Sequence, residues 1–115
     1  MRKSLIDTDI VSEIRKGKNY KINAKANAYR AIWQHYTISV ITVSEIIKGW
    51  RKINRNDRIQ EFLADLSQLE ILHLDQSCAE ISGLIQADLE KAGQPIGLAD
   101  VLYQFFMKLH RIRSP

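Results

Sequence analysis

Asp7, Glu45 and Asp100 are the residues of this chain best placed for chemistry. Asp7 closes the short apolar run Ser4-Leu5-Ile6, Glu45 follows the β-branched run Ile38-Ser39-Val40-Ile41-Thr42, and Asp100 follows Pro95-Ile96-Gly97-Leu98-Ala99. A carboxylate just past a strand projects from the rim of an α/β sheet where ligands bind. Three meeting there would form an acidic pocket, which on a basic protein points to a divalent cation and a polyanionic substrate. Each also has a structural explanation. Asp7 can cap the helix after it, Thr42-x-x-Glu45 reads as a capping box, and Asp100 suits the first turn of a helix, where the dipole favours negative charge. The flanks favour chemistry. Asp9 crowds a second carboxylate beside Asp7, which calls for a cation or donors. Gly93-Gln94-Pro95-Ile96-Gly97 is a defined loop, an unusual investment for a mere cap.

The elements that must position these residues follow from patterning. Residues 3–6 and 37–41 read as short buried strands, and Glu70-Ile71-Leu72-His73-Leu74 as a third, ending at Asp75. Between them, helical stripes run through Ile10, Val11 and Ile14 up to Gly17, through residues 22–35, through Val43, Ile46, Ile47, Trp50 and Ile53, and through Ile59, Phe62, Leu63, Leu66 and Leu69. A further stripe through Cys78, Ile81, Leu84, Ile85 and Leu89 stops near Gly93, and the last helix carries Val101, Leu102, Phe105, Phe106 and Leu109. Strands alternating with helices imply right-handed crossovers and a mostly parallel sheet covered on both faces. The expectation is one domain, a small three-layer sandwich.

Composition bounds the function. The chain has 115 residues, a formal net charge of +4 and one cysteine, so no internal disulfide can form. No apolar stretch approaches the length of a membrane span, and the reading is a cytosolic protein without a membrane partner. Arg15, Lys16, Lys18, Lys21 and Lys25 form one basic cluster; Lys48, Arg51, Lys52, Arg55 and Arg58 form another downstream of Glu45. The second suits phosphates near the acidic pocket; equally, it is a solvated helix face. His35, His73 and His110 lack metal-ligand spacing, and no Walker loop, dinucleotide fingerprint or zinc spacing occurs.

Together the three acidic segments resemble the PIN-domain ribonucleases, specifically the VapC-type toxins of prokaryotic toxin–antitoxin pairs. The carrying residues are Leu5-Ile6-Asp7-Thr8-Asp9, Ser39-Val40-Ile41-Thr42-Val43-Ser44-Glu45-Ile46, and Gly93-Gln94-Pro95-Ile96-Gly97-Leu98-Ala99-Asp100. The resemblance implies a PIN-like α/β/α sandwich and a magnesium- or manganese-dependent endoribonuclease with Asp7, Glu45 and Asp100 at the metal. Thr8 and Asp9 would support that site, and Lys48, Arg51 and Lys52 would hold the RNA backbone. A cognate antitoxin and a homodimer are the implied partners. Asp9 stands where the family has Asn. The family also continues through another strand and a further acidic residue, so the sheet is expected to lack its last strand, and the segment from about Tyr103 onward is atypical. Two rivals follow: a catalytically impaired relative that only binds antitoxin or RNA, and a basic α/β module whose carboxylates are caps.

Overall fold

The computed structural model describes residues 3–97, 100–102 and 104. The named elements among these residues are α1 (Thr8–Lys16), α2 (Tyr20–Trp33), β1 (Tyr36–Ser39), α3 (Val40–Lys52), α4 (Asn56–Asp65), a 3-10 turn (Leu66–Gln68), β2 (Leu69–Leu72) and α5 (Gln76–Lys91). Strands β1 and β2 pair in parallel, with Ile38 opposite Ile71. Leu5 makes a parallel bridge to Thr37 on the other side of β1, and the Ile6 N–H donates to the Thr37 carbonyl at 2.9 Å. The first apolar run is thus a bridge segment beside β1, shorter than the strand expected over residues 3–6.

Side chains alternate across a strand, and the core divides accordingly. Leu5 and Leu72 pack on one face with Cys78 of α5 and Leu102. Their chain neighbours Ile6 and Ile71 pack on the other, with Val11 of α1, Ile38, Ile46 of α3 and Phe62 of α4. Helices therefore cover both faces of a short parallel sheet, the α/β/α arrangement expected. Tyr29 of α2 locks the edge: its hydroxyl accepts from the Ser4 N–H at 3.1 Å and donates to the Ser4 carbonyl at 3.3 Å.

Several boundaries differ from the patterning, among them the end of β2, which stops at Leu72 and leaves His73 and Leu74 outside the strand. Val40 and Ile41 begin α3 instead of extending β1, because the Ser39 hydroxyl caps the helix by accepting from the Thr42 N–H at 3.2 Å. Leu69, the last residue of the α4 stripe, belongs to β2. The glycine stops hold: Gly17 ends α1 at φ 66° and Gly93 follows α5 at φ 72°, a conformation that costs a residue without Cβ little. Val101 and Leu102 are helical and buried. Phe105, Phe106 and Leu109 of the expected last helix, and the segment from about Tyr103 onward apart from Gln104, lie outside the described residues, as do Leu98 and Ala99. No helix among the described residues is long and apolar enough to cross a membrane.

Candidate functional site

Asp7 follows the bridge segment with an extended backbone, φ −82° and ψ 173°, and caps α1. Its Oδ1 accepts from the Ile10 N–H at 3.0 Å. The capping role is therefore real, but a carboxylate has a second oxygen with its own lone pairs. Asp7 is half-buried and Asp9, one residue into the helix beyond Thr8, is exposed.

Glu45 stands in the second turn of α3 and is exposed. The capping box with Thr42 does not form: the cap is Ser39, and Thr42 is already inside the helix. Instead, Glu45 reaches across to α1, where the Thr8 hydroxyl donates to its Oε1 at 2.9 Å. That bond joins the first and second acidic segments at the carboxyl ends of the bridge segment and β1. A helix cap has no use for such a link.

Asp100 is exposed and helical, and the N–H of Val101 beside it donates to the Gly97 carbonyl at 3.1 Å. Its carboxylate lies over Gly97, where an added Cβ would come within 3.8 Å of Oδ2. The loop before it is tied to α5 by the Gln86 side-chain amide, which donates to the Ile96 carbonyl at 3.2 Å. Among the described residues, no group of three or more His, Cys, Asp or Glu side chains is gathered closely enough to hold one metal ion. The donors along the rim are all oxygen, the set a hard divalent cation prefers. Magnesium suits an open rim of this kind, since it keeps several waters and needs only one or two carboxylates.

Beside the Thr8–Glu45 link, a cleft of about 680 Å³ runs between α1, α3 and α4. On α3 it is lined by Glu45, Ile46, Gly49 and Trp50, the residues of one helical face, and by Ile53 at the C-cap. Lys48, Arg51 and Lys52 are exposed on the same helix but do not line it. The cations that do are Arg15, Lys16, Lys18 and Arg58. Arg15 pairs with Asp65 at 2.9 Å, Arg58 pairs with Glu61 at 3.2 Å, and the Arg58 guanidinium also lies 5.9 Å from the Trp50 ring centre. Sequence reasoning noted Arg15, Lys16 and Lys18 as a cluster without giving them a role. The available signal was the absence of any Asp or Glu between Glu13 and Glu45.

His35 is engaged structurally, its Nδ1 2.9 Å from the Gln68 carbonyl. Cys78 is buried in the core, and burial is the main reason its thiol pKa is raised.

A short parallel sheet between helical layers, with acidic side chains at its carboxyl rim, defines the α/β class of this protein. The model of the PIN domain matches residues 4–113, and the chain belongs to the PIN-domain family. Three solved structures share the fold. A toxin–antitoxin complex from Klebsiella pneumoniae is 24% identical, with a TM-score of 0.61 over 95% of this chain and 81% of that one. VapBC2 from Rickettsia felis, bound to a DNA fragment from its promoter, is 24% identical, with a TM-score of 0.67 over 87% and 75%. FitAcB from Neisseria gonorrhoeae is 23% identical, with a TM-score of 0.70 over 94% and 82%. No curated protein sequence matches the chain significantly.

Proposed function

We propose that the protein is a magnesium- or manganese-dependent endoribonuclease, the toxin of a toxin–antitoxin pair. The observation that carries this reading is the Thr8–Glu45 hydrogen bond, which ties two of the three acidic segments together at the strand ends of a PIN-family chain. The toxin role is supported by the three structural neighbours, whose chains come from a toxin–antitoxin complex, VapBC2 and FitAcB. Asp7, Glu45 and Asp100 are the carboxylates offered to the ion, one or two of them as direct ligands and the rest through the waters it keeps. Thr8 orients the Glu45 carboxylate, and Asp9 adds negative charge at the start of α1. A bound ion supplies Lewis acidity toward a phosphodiester oxygen and toward the attacking water. The chain's own part is to fix the acidic groups and to hold the RNA backbone, for which Lys48, Arg51 and Lys52 are the candidates on the helix that bears Glu45. A cognate antitoxin as neutralising partner, a homodimer and a cytoplasmic location complete the proposal.

The test is cleavage of single-stranded RNA in magnesium or manganese and in chelator, by the wild type and by Asp7→Ala, Glu45→Ala and Asp100→Ala. Cleavage that requires the ion and is lost in the variants is expected. Equal cleavage by Asp7→Ala and Asp100→Ala would refute the site assignment. A second reading, a relative that binds antitoxin or RNA without cutting, draws on the lack of a gathered three-ligand group among the described residues. It predicts tight antitoxin binding with no metal-dependent cleavage by the wild type.

A further inference from the structure

We propose that the corner between α1 and α2 is an RNA-backbone contact that leads the substrate strand away from the acidic rim through Lys16, Lys18, Lys21 and Lys25. The inference rests on the ribonuclease reading and extends it to the path of the substrate.

Three observations carry it. The first is charge. No acidic residue stands between Glu13 and Glu45, while Arg15, Lys16, Lys18, Lys21, Lys25 and Arg30 all do. Lys16, Lys18, Lys21 and Lys25 are exposed. Lys16 is only loosely paired, 3.6 Å from Glu13, and Lys18, Lys21 and Lys25 have no ion-pair partner among the described residues. A solvated face of ordinary composition mixes both signs; this one does not.

The second is rigidity. Gly17 closes α1 in the left-handed conformation, and the Asn19 side chain caps α2 by accepting from the Lys21 and Ile22 N–H groups at 3.1 and 3.2 Å. The Asn23 amide donates back to the Gly17 carbonyl at 2.9 Å. The backbone bearing Lys18 and Lys21 is therefore fixed before any ligand arrives, and Lys21 and Lys25 fall one helical turn apart on the same face. Tyr20 is 76% exposed beside them and offers a ring on which an unpaired base can stack.

The third is continuity. Lys16 and Lys18 line the same cleft as Thr8 and Glu45. The rise along α1 puts the corner about 15 Å from the rim, a distance that a few nucleotides of single strand can span. An acidic peptide would meet the basic corner equally well, but following the cleft would drive it into the Glu45 carboxylate. A polyanion whose phosphate is to be cut there must meet both.

The experiment uses the full chain carrying Asp7→Asn, with and without Lys18→Glu, Lys21→Glu and Lys25→Glu, and a fluorescein-labelled single-stranded oligouridylate. Binding is followed by anisotropy across a salt series. Each phosphate contact on a single strand contributes about 0.7 to the salt slope, so loss of three should flatten it by about 2 and weaken binding roughly 100-fold near 0.1 M salt. An unchanged slope, or no RNA binding by either protein, overturns the proposal. So does a triple variant that binds RNA normally yet loses a co-expressed antitoxin, because the corner then serves a protein partner. RNA binding through these lysines by a wild type that never cleaves in magnesium would sustain the corner and sink the nuclease reading.

Discussion

Replacing Ser39 with Ala should destabilise the protein by about 2 kcal/mol, a cost set by burial. An N-cap serine is worth 0.5–2 kcal/mol, typically about 1, and the low values come from hosts where water replaces the lost oxygen. Here Ser39 and Thr42 are each only 2% exposed, so water cannot take over. The Thr42 N–H loses its 3.2 Å acceptor, and an unsatisfied buried donor costs about 1–3 kcal/mol. These are two views of one loss, so the estimate stays near 2 kcal/mol and is not their sum. In a domain of this size, that lowers Tm by roughly 8 °C. Thermal unfolding followed by circular dichroism reads the shift directly. Ser39→Thr, which keeps the hydroxyl, should stay much nearer the wild type. A Ser39→Ala shift under about 2 °C would mean that the cap does not secure the start of α3.

Phe62→Ala empties the largest fully buried side chain among the described residues and should cost about 3–5 kcal/mol; a normal urea midpoint would refute the two-cluster core. The Cys78 thiol, buried and raised in pKa, should resist a disulfide reagent until the protein unfolds. Its proton contributes stability that is fully present below the thiol's ordinary value of 9.0 and is lost as pH rises through the raised folded value; unfolding of Cys78→Ala should lack that alkaline slope. Asp57 is held down at about 2, first by its hydrogen bonds from Arg55 at 3.0 and 2.9 Å. Its contribution is present above the ordinary 3.8 and lost as pH falls through about 2, and carboxyl NMR of Arg55→Ala should show the titration returning toward 3.8. Thr8→Val keeps shape while deleting the donor to Glu45; since that bond is exposed, stability should change by less than about 1 kcal/mol, whereas affinity for manganese should fall about 10–100-fold.

What could be read from the chain and what could not divide along physical lines. Periodicity located α1, α3, α4 and α5, because burial of one face is written into residue spacing, and the alanine-bearing composition of residues 22–35 located most of α2. Alternation could not place the end of β1. Val40 and Ile41 suit strands by composition, and only the cap at Ser39, a single hydroxyl on a single N–H, commits them to α3. The same shift moved Glu45 from a helix entry into its second turn and removed the Thr42 capping box, leaving the carboxylate free for Thr8. Asp7 was ambiguous between cap and ligand, and the structure shows why: one carboxylate oxygen serves the helix, and the other is a separate acceptor. The Gly17 and Gly93 stops were legible because positive φ is costly for any other residue. The cleft was not, since it is built from three helices whose mutual placement no local pattern encodes. Lys48, Arg51 and Lys52 lie close to Glu45 in sequence, yet helical rotation carries them off the face that lines the cleft, and residues distant in sequence, Lys16 and Lys18, take that place.

Two sets of polar groups in this protein have opposite demands. Thr37, Ser39 and Thr42 are buried, and their value lies in being satisfied internally, because an unpaired group inside costs more than a paired one gains. Glu45 and Asp100 are exposed; Glu45 takes one bond, from Thr8, and under the proposed function the acceptor capacity left over is what a cation that retains its waters would reach from solvent. Asp7 and Thr8 stand on the boundary, half-buried and half-committed to α1. Ser39 fixes where α3 starts and Asp7 where α1 starts, so the helices that carry Glu45 and Thr8 have fixed origins. Substitutions in the first set should therefore appear in melting curves, and those in the second in metal and RNA binding. A variant such as Thr8→Val, nearly silent in one measurement and costly in the other, separates the architecture from the chemistry it supports.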